Sequence, residues 1–317
     1  MREPISPRAQ EVLERGVLCY VAAPSDVGPH LTPLVFVEWG GRVWITTSRR
    51  SFKAGAWRHR PDASGLVRAG GLAVTFEGDV WTHDVLDPTT WVSSIRASPA
   101  LSGASVRFTT KNARFFAGYA VDARRVPFAW MPPGRLFAEI EPRRLALLEG
   151  GRPVEVWGRW DREAASLPGF RARKRAGDPL GGLPAEVRHR LAPGDAVLAV
   201  QGLRGPVVLP AAWSEIDGSV YATLPAQTLG LAAPAPRVPV ALAIDRASWW
   251  RARDMVGVMV QGEGAVHVLG GLDSGARSAA AIVQHLGGEP EGGALIRITP
   301  RRLVWWNGWT SGTVRAA

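Results

Sequence analysis

Residues 28–67 read GPHLTPLVFVEWGGRVWITTSRRSFKAGAWRHRPDASGLV. Two apolar runs, 31–38 and 42–47, flank Trp39-Gly40-Gly41, and a Gly-Gly step between alternating apolar runs is the signal of a tight β-hairpin. The second run empties into a corner rich in hydroxyls and cations: Thr46, Thr47, Ser48, Arg49, Arg50, Ser51 and Lys53, followed by Arg58 and Arg60. Hydroxyls and backbone N–H groups at a helix start donate to phosphate oxygens, arginine clamps two oxygens at once, and lysine adds a point charge. The corner therefore suits a phosphate. A solvated basic turn has the same composition, and the corner alone does not separate the two.

A second copy does. Sliding the chain by 177 positions brings Gly28, Pro29, Pro33, Gly41, Val43 and Thr46 onto Gly205, Pro206, Pro210, Gly218, Val220 and Thr223 without a gap. Near the end of each half, Ile140-Glu141-Pro142-Arg143-Arg144-Leu145 matches Ile298-Thr299-Pro300-Arg301-Arg302-Leu303 at an offset of 158. The chain uses one architecture twice, with insertions of unequal length. At the 177 offset, Arg49, Arg50, Ser51, Lys53 and Arg58 face Ala226, Gln227, Thr228, Gly230 and Ala235. A turn that carried cations only for solubility has no reason to lose nearly all of them in one copy, so the first copy is read as the phosphate site and the second as lacking it.

A length of 317 residues accommodates two domains, each with its own core. The expected division is residues 1–165, a basic linker 166–192, and a second, degenerate unit 193–317. The net charge of +10 invites a nucleic-acid partner, yet only three of the 38 cations are lysine and the excess is spread along the chain. The one dense run, Arg171, Arg173, Lys174 and Arg175, sits among turn residues and reads as a solvated connection. No apolar run reaches the roughly 18 residues that span a bilayer, and the N-terminus has no apolar signal core, so the expectation is a cytoplasmic protein with neither a membrane nor a nucleic acid as partner. Single Cys19 excludes an internal disulfide and reads as a small buried hydrophobe.

The pattern predicts helices at 7–15, 51–60, 113–119 and 274–287. Strands are expected at 17–23, 31–38, 42–47, 66–68, 72–81, 136–148 and 154–160, with Gly78 as a bulge and a break at Pro142. In the second half they fall at 196–201, 207–215, 219–224, 238–244, 255–261, 265–269 and 294–306. Short strands, short helices and little room for β-α-β crossovers make the class mainly β with short helices (α+β), arranged as small barrels.

The order of these pieces, with His30-Leu31-Thr32-Pro33, Thr46-Thr47-Ser48-Arg49, Lys53, Arg58 and Pro61, resembles the FMN-binding split β-barrel superfamily. That family includes pyridoxamine 5′-phosphate oxidase-like proteins and flavin- or deazaflavin-dependent oxidoreductases. The strand order resembles it through most of both halves, whereas the specific motif spans about thirty residues. The resemblance implies two tandem split barrels forming an internal pseudo-dimer, monomeric or further paired as a homodimer. It implies FMN or a deazaflavin coenzyme held by His30, Thr32, Thr46, Thr47, Ser48, Arg49, Arg50, Ser51, Lys53 and Arg58, and hydride exchange with a small-molecule substrate. No side chain is singled out as catalytic, since the ring carries the redox step. Tyr119 and Trp39 are candidates for the cleft wall, and Trp305, Trp306 and Trp309 for stacking on a flat ligand. Two alternatives stay open: a haem-handling split barrel with His30, His83 or His267 as axial ligand, and a cofactor-free structural module. No close histidine pair, G-x-S-x-G elbow or P-loop is present, and no metal site is expected.

Overall fold

The computed structural model describes residues 4–122, 124, 126, 134–160, 178–246, 248, 251–269, 274–289 and 291–316. The basic run 171–175 lies outside them. Helix α1 (Pro7–Arg15) starts where sequence rules place it: Ser6 accepts from the Ala9 N–H, Pro7 occupies the first turn, and Ala9, Val12 and Leu13 turn inward. Then come β1 (Leu18–Ala23), β2 (His30–Trp39), β3 (Arg42–Ser48), α2 (Phe52–His59), β4 (Asp62–Ala69) and β5 (Leu72–His83). Three helices follow, α3 (Trp91–Arg96), α4 (Ser98–Lys111) and α5 (Ala113–Val121), before β6 (Arg135–Glu149) and β7 (Arg152–Trp157). The second half adds α6 (Ala185–Arg188), β8 (Gly194–Gln201), β9 (Pro206–Ile216), β10 (Ser219–Pro225), α7 (Ala226–Leu229), β11 (Arg237–Arg246), β12 (Val256–Val268), α8 (Ser274–His285), β13 (Gly293–Asn307) and β14 (Thr310–Arg315).

Each half is one antiparallel sheet, ordered β3-β2-β1-β4-β5-β6-β7 and β10-β9-β8-β11-β12-β13-β14. Additional pairings, β3 to β6 and β10 to β13, close six strands of each sheet into a barrel and leave the seventh attached outside. Closure pairs the edges of β3 and β10 that an open sheet would expose, leaving β7 and β14 as the edge strands. The expected architecture, two split β-barrels in tandem, is the one the chain adopts. Trp39 pairs with Arg42 across Gly40-Gly41, whose φ values of 66° and 74° are those of a two-residue type I′ turn. The second copy turns the same way at Asp217-Gly218, with φ of 48° and 67°.

The sequence reading differs from the structure in several places: it has no strand at β14 and no helix at α6, which lies in the expected linker, or at α7, and it gives β4 only its last residues. Residues 87–122, expected to hold one short helix, hold three; the low amphipathicity of α4 hides it, although Ala104 and Phe108 lie one turn apart on its buried side. The strands expected at 255–261 and 265–269 are one strand, β12, whose register shifts at Gln261/Gly262. Pro142 does not end β6, because it sits opposite the register shift at Glu77/Gly78, where no ladder N–H is required of it.

Residues such as Val21, Phe36, Ile45, Phe76 and Ile140 fill the first barrel. Leu31, Leu66 and Ala146 instead join the second barrel's core, so the two barrels share an apolar contact. Polar bonds lock it: Gln261 Nε2 donates to the carbonyls of Gly28 (3.1 Å) and Pro29 (2.9 Å), and Thr75 Oγ1 donates to the Val208 carbonyl at 2.6 Å. Tyr20 donates its hydroxyl to Asp245 at 3.0 Å, and burial raises the Asp245 carboxyl to about 6.

The two bulge glycines are the most sensitive backbone positions in the ladders. A Cβ at Gly78 would lie 2.2 Å from the Glu141 carbonyl oxygen, and one at Gly262 would lie 2.0 Å from that of Thr299. Gly78→Ala and Gly262→Ala should each cost about 2–4 kcal/mol in urea denaturation. Gly40→Ala, open in space but with positive φ, should cost only about 1 kcal/mol.

Candidate functional site

The corner forms where β3 hands the chain to α2. Ser51 caps α2 by accepting from the Ala54 N–H at 3.3 Å, and its hydroxyl lies 3.0 Å from Thr47 Oγ1. Lys53, in the first turn of α2, is almost fully buried and donates to Thr32 Oγ1 on β2 at 2.6 Å. From β6 comes a residue that the sequence reading did not select, Arg135. Its Nε donates to Thr46 Oγ1 at 3.1 Å and its Nη2 to the Thr46 carbonyl at 2.7 Å. Burial and the Arg135 guanidinium pull the Lys53 ammonium down to about 8, and burial also lowers Arg135. Among the described residues no carboxylate forms an ion pair with Lys53. The half-buried Arg135 disfavours the charge of the buried Lys53, and an anion seated beside them would relieve it.

His30 stands beside this pair. Its ring lies 4.9 Å from that of Phe52, and burial, then Lys53, then Arg302 of the second barrel, depress it to about 3. It is therefore neutral at physiological pH and can act there as a hydrogen-bonding group but not as a cation. Tyr119 of α5 is raised to about 12 by burial and packs edge-on against Trp309 at 5.2 Å. The second barrel thus brings Arg302 and Trp309 toward the corner of the first.

The other nominated cations are engaged differently. Arg49 pairs with the buried Asp84 at 2.8 Å; Arg58 reaches Asp84 at 3.7 Å and Asp87 at 3.3 Å. These pairs tie Arg49 and Arg58 to carboxylates that follow β5. Arg50 is exposed on the turn, its N–H donating to Ser48 Oγ at 3.4 Å. Trp39 lies against Gly103 of α4 and away from the corner. A haem ligand at His83 is disfavoured because both ring nitrogens are in use, against Ser94 (3.2 Å) and Glu139 (3.0 Å).

The comparison of copies that picked out Lys53 also picks out Arg135, which the 158 offset sets against Gly293. Register agrees, since Arg135 pairs with Ser48 and Gly293 with Pro225. A cavity of about 590 Å³ lies at the second copy's position, between Thr223, Leu224 and Pro225 and the first barrel's Gly150, Gly151 and Arg152. Arg152 there is paired with Glu289. The convergence of Lys53, Arg135 and the surrounding hydroxyls marks the corner of the first barrel as the candidate site.

No family model and no curated protein sequence matches the chain. Among solved structures, a conserved hypothetical protein from Mycobacterium tuberculosis is 20% identical, with a TM-score of 0.34, over 47% of this chain and 87% of its own. A pyridoxamine 5′-phosphate oxidase-related, FMN-binding protein from Nostoc punctiforme is 18% identical, with a TM-score of 0.33, over 46% and 85%. General Stress Protein 26 from Bacillus anthracis is 12% identical, with a TM-score of 0.31, over 44% and 91%. Each match spans less than half of this chain, and likeness at this level says nothing about ligand or activity.

The depressed Lys53 has a consequence for stability. Its folded value lies below the ordinary 10.5, so the unfolded chain binds that proton more tightly. The penalty, on the order of 3 kcal/mol, is fully present below about pH 8 and fades as pH rises toward 10.5. Lys53→Met should therefore stabilise the ligand-free protein by about 1–3 kcal/mol at pH 7 and remove the rise in stability between pH 8 and 10. Urea denaturation at the two pH values measures this; a destabilised variant at pH 7 would show that Lys53 is held by a favourable partner.

Proposed function

We propose that the chain is an oxidoreductase that binds FMN or a deazaflavin coenzyme in one cleft, built on the first barrel and walled by the second. The observation that carries this reading is the convergence of the buried Lys53 and the half-buried Arg135 on Thr32, Thr46, Thr47 and Ser51 at the start of α2. This donor set fits a phosphate monoester: two cations for its charge, hydroxyls for its oxygens, and the first-turn N–H groups of an eight-residue helix. When bound, the flavin-type ring would supply hydride transfer to or from a small organic substrate. The protein's part is to bind, orient and exclude water. Lys53 and Arg135 would hold the phosphate, neutral His30 would offer a hydrogen bond without adding charge, and Tyr119 with Trp309 would form an apolar wall. Arg49 and Arg58, tied to Asp84, keep the corner's edge in place. In this reading the tandem barrels do the work of a dimer within one chain.

Titration of the purified protein with FMN, followed by flavin fluorescence, should saturate near one equivalent per chain. Lys53→Ala and Arg135→Ala should each weaken binding about 10- to 100-fold, the loss of one charge-assisted contact. Gln227→Ala, at the position of Arg50 in the second copy, should leave it unchanged. Undiminished binding in the first two variants, or a large loss in the third, would overturn the assignment. Repeating the titration with the deazaflavin coenzyme decides between the two cofactors.

A further inference from the structure

Outside this corner, three residues from separate elements form a hydroxyl, imidazole and carboxylate relay. His83 ends β5, Ser94 lies on α3, and Glu139 lies on β6, where it pairs across the ladder with Trp44 of β3. Ser94 Oγ is 3.2 Å from His83 Nδ1, and Glu139 Oε2 is 3.0 Å from His83 Nε2. Arg42 forms an ion pair with Glu139. A carboxylate only accepts, so the neutral tautomer that suits this arrangement carries its proton on His83 Nε2 and presents the Nδ1 lone pair to the Ser94 hydroxyl. Trp44 stacks on the imidazole at 5.7 Å and fixes its plane. His83 and Glu139 are buried, whereas Ser94 is partly exposed. Around it Val85, Leu86, Trp91, Val92 and Ile95 are 51–75% exposed, a run of apolar surface beside a polarised hydroxyl.

We infer that Ser94 is an activated nucleophile that accepts acyl groups from carboxylic esters with an apolar acyl chain, a second activity independent of the flavin site. Ser94 Oγ attacks the ester carbonyl carbon while its proton passes to His83 Nδ1. The carbon–oxygen bond to the alcohol breaks, and the same proton leaves with the alkoxide. Water then hydrolyses the acyl-serine, its proton again taken by His83, releasing the carboxylic acid and restoring the hydroxyl. No oxidant or reductant enters. Glu139 and Arg42 are positioning residues: they set the tautomer of His83 and touch no substrate atom. A base held in this way contributes typically about 10²- to 10⁴-fold. Binding of the ester rests on the apolar surface around α3, so longer acyl chains should react faster.

Ser93 provides an internal control. It lies on the same helix, but its hydroxyl donates to the Thr90 carbonyl at 2.8 Å and is paired with no imidazole. The full-length protein, treated with a fluorophosphonate probe and mapped by peptide mass spectrometry, should gain one adduct on Ser94 and none on Ser93. It should also release p-nitrophenol from p-nitrophenyl butyrate faster than from the acetate. Ser94→Ala, a change near the surface that leaves the barrels intact, should abolish both reactions. Glu139→Gln should slow labelling at least about tenfold, through the wrong tautomer. If Glu139→Gln fails to fold, as judged by circular dichroism, the Ser94→Ala comparison still decides. Absence of an adduct, equal labelling of Ser93, or ester hydrolysis surviving in Ser94→Ala would overturn the inference and leave the relay as the bond that docks α3 on the barrel.

Discussion

Pairing of β3 with β6 is the constraint on which the rest of the first barrel depends. It closes the sheet, and in doing so it brings residues from about ninety positions apart into register. Ser48 meets Arg135, Thr46 meets Phe137, and Trp44 meets Glu139. The first of these contacts delivers a second cation to the corner, and the last places a carboxylate beneath His83. Both clusters of chemistry in this half are thus products of one ladder. A one-residue slip would turn every side chain of β6 to the opposite face and dismantle the two together.

The same closure occurs in the second barrel, where β10 meets β13, but there Gly293 and Pro225 stand where Arg135 and Ser48 stand in the first. Scaffold and chemistry are separable in this chain. The ladder conserves shape through apolar alternation and bulges at matching places, while charge is carried by a few positions that packing does not need. Buried cations are costly to the fold. Lys53 and Arg135 occur in one barrel, and Gly230 and Gly293 stand at the matching places in the other.

Much of this was legible in the sequence. Gly40-Gly41 and Asp217-Gly218 announce the hairpins because only residues tolerant of positive φ close a two-residue turn of that hand. Ser51 and Lys53 belong to the corner because they are local to the strand end and helix start. What escaped was what the tertiary structure assembles. Arg135 enters through barrel closure, and Asp84, which claims Arg49 and Arg58, lies beyond β5. His83, Ser94 and Glu139 share no spacing that a linear motif could reveal. The helices between β5 and β6 were understated because α3 has no buried residue and α4 has only two, so neither shows a clear apolar stripe. Gly262 divided β12 into two expected strands because a bulge and a turn look alike until the partner strand is seen.

The shared core between the barrels has a consequence for divergence. In a homodimer every change in the gene appears twice, so a symmetric pair of clefts must keep or lose its ligand together. Joining the two barrels in one chain lifts that restriction. Leu31, Leu66 and Ala146 still require a second barrel to cover them, so the partner half cannot be discarded. It is free, however, to change everything except the face it presents. Arg302 and Trp309 on that face stand near the other barrel's corner, whereas beside its own β10 two glycines, Gly230 and Gly293, stand in place of the two cations.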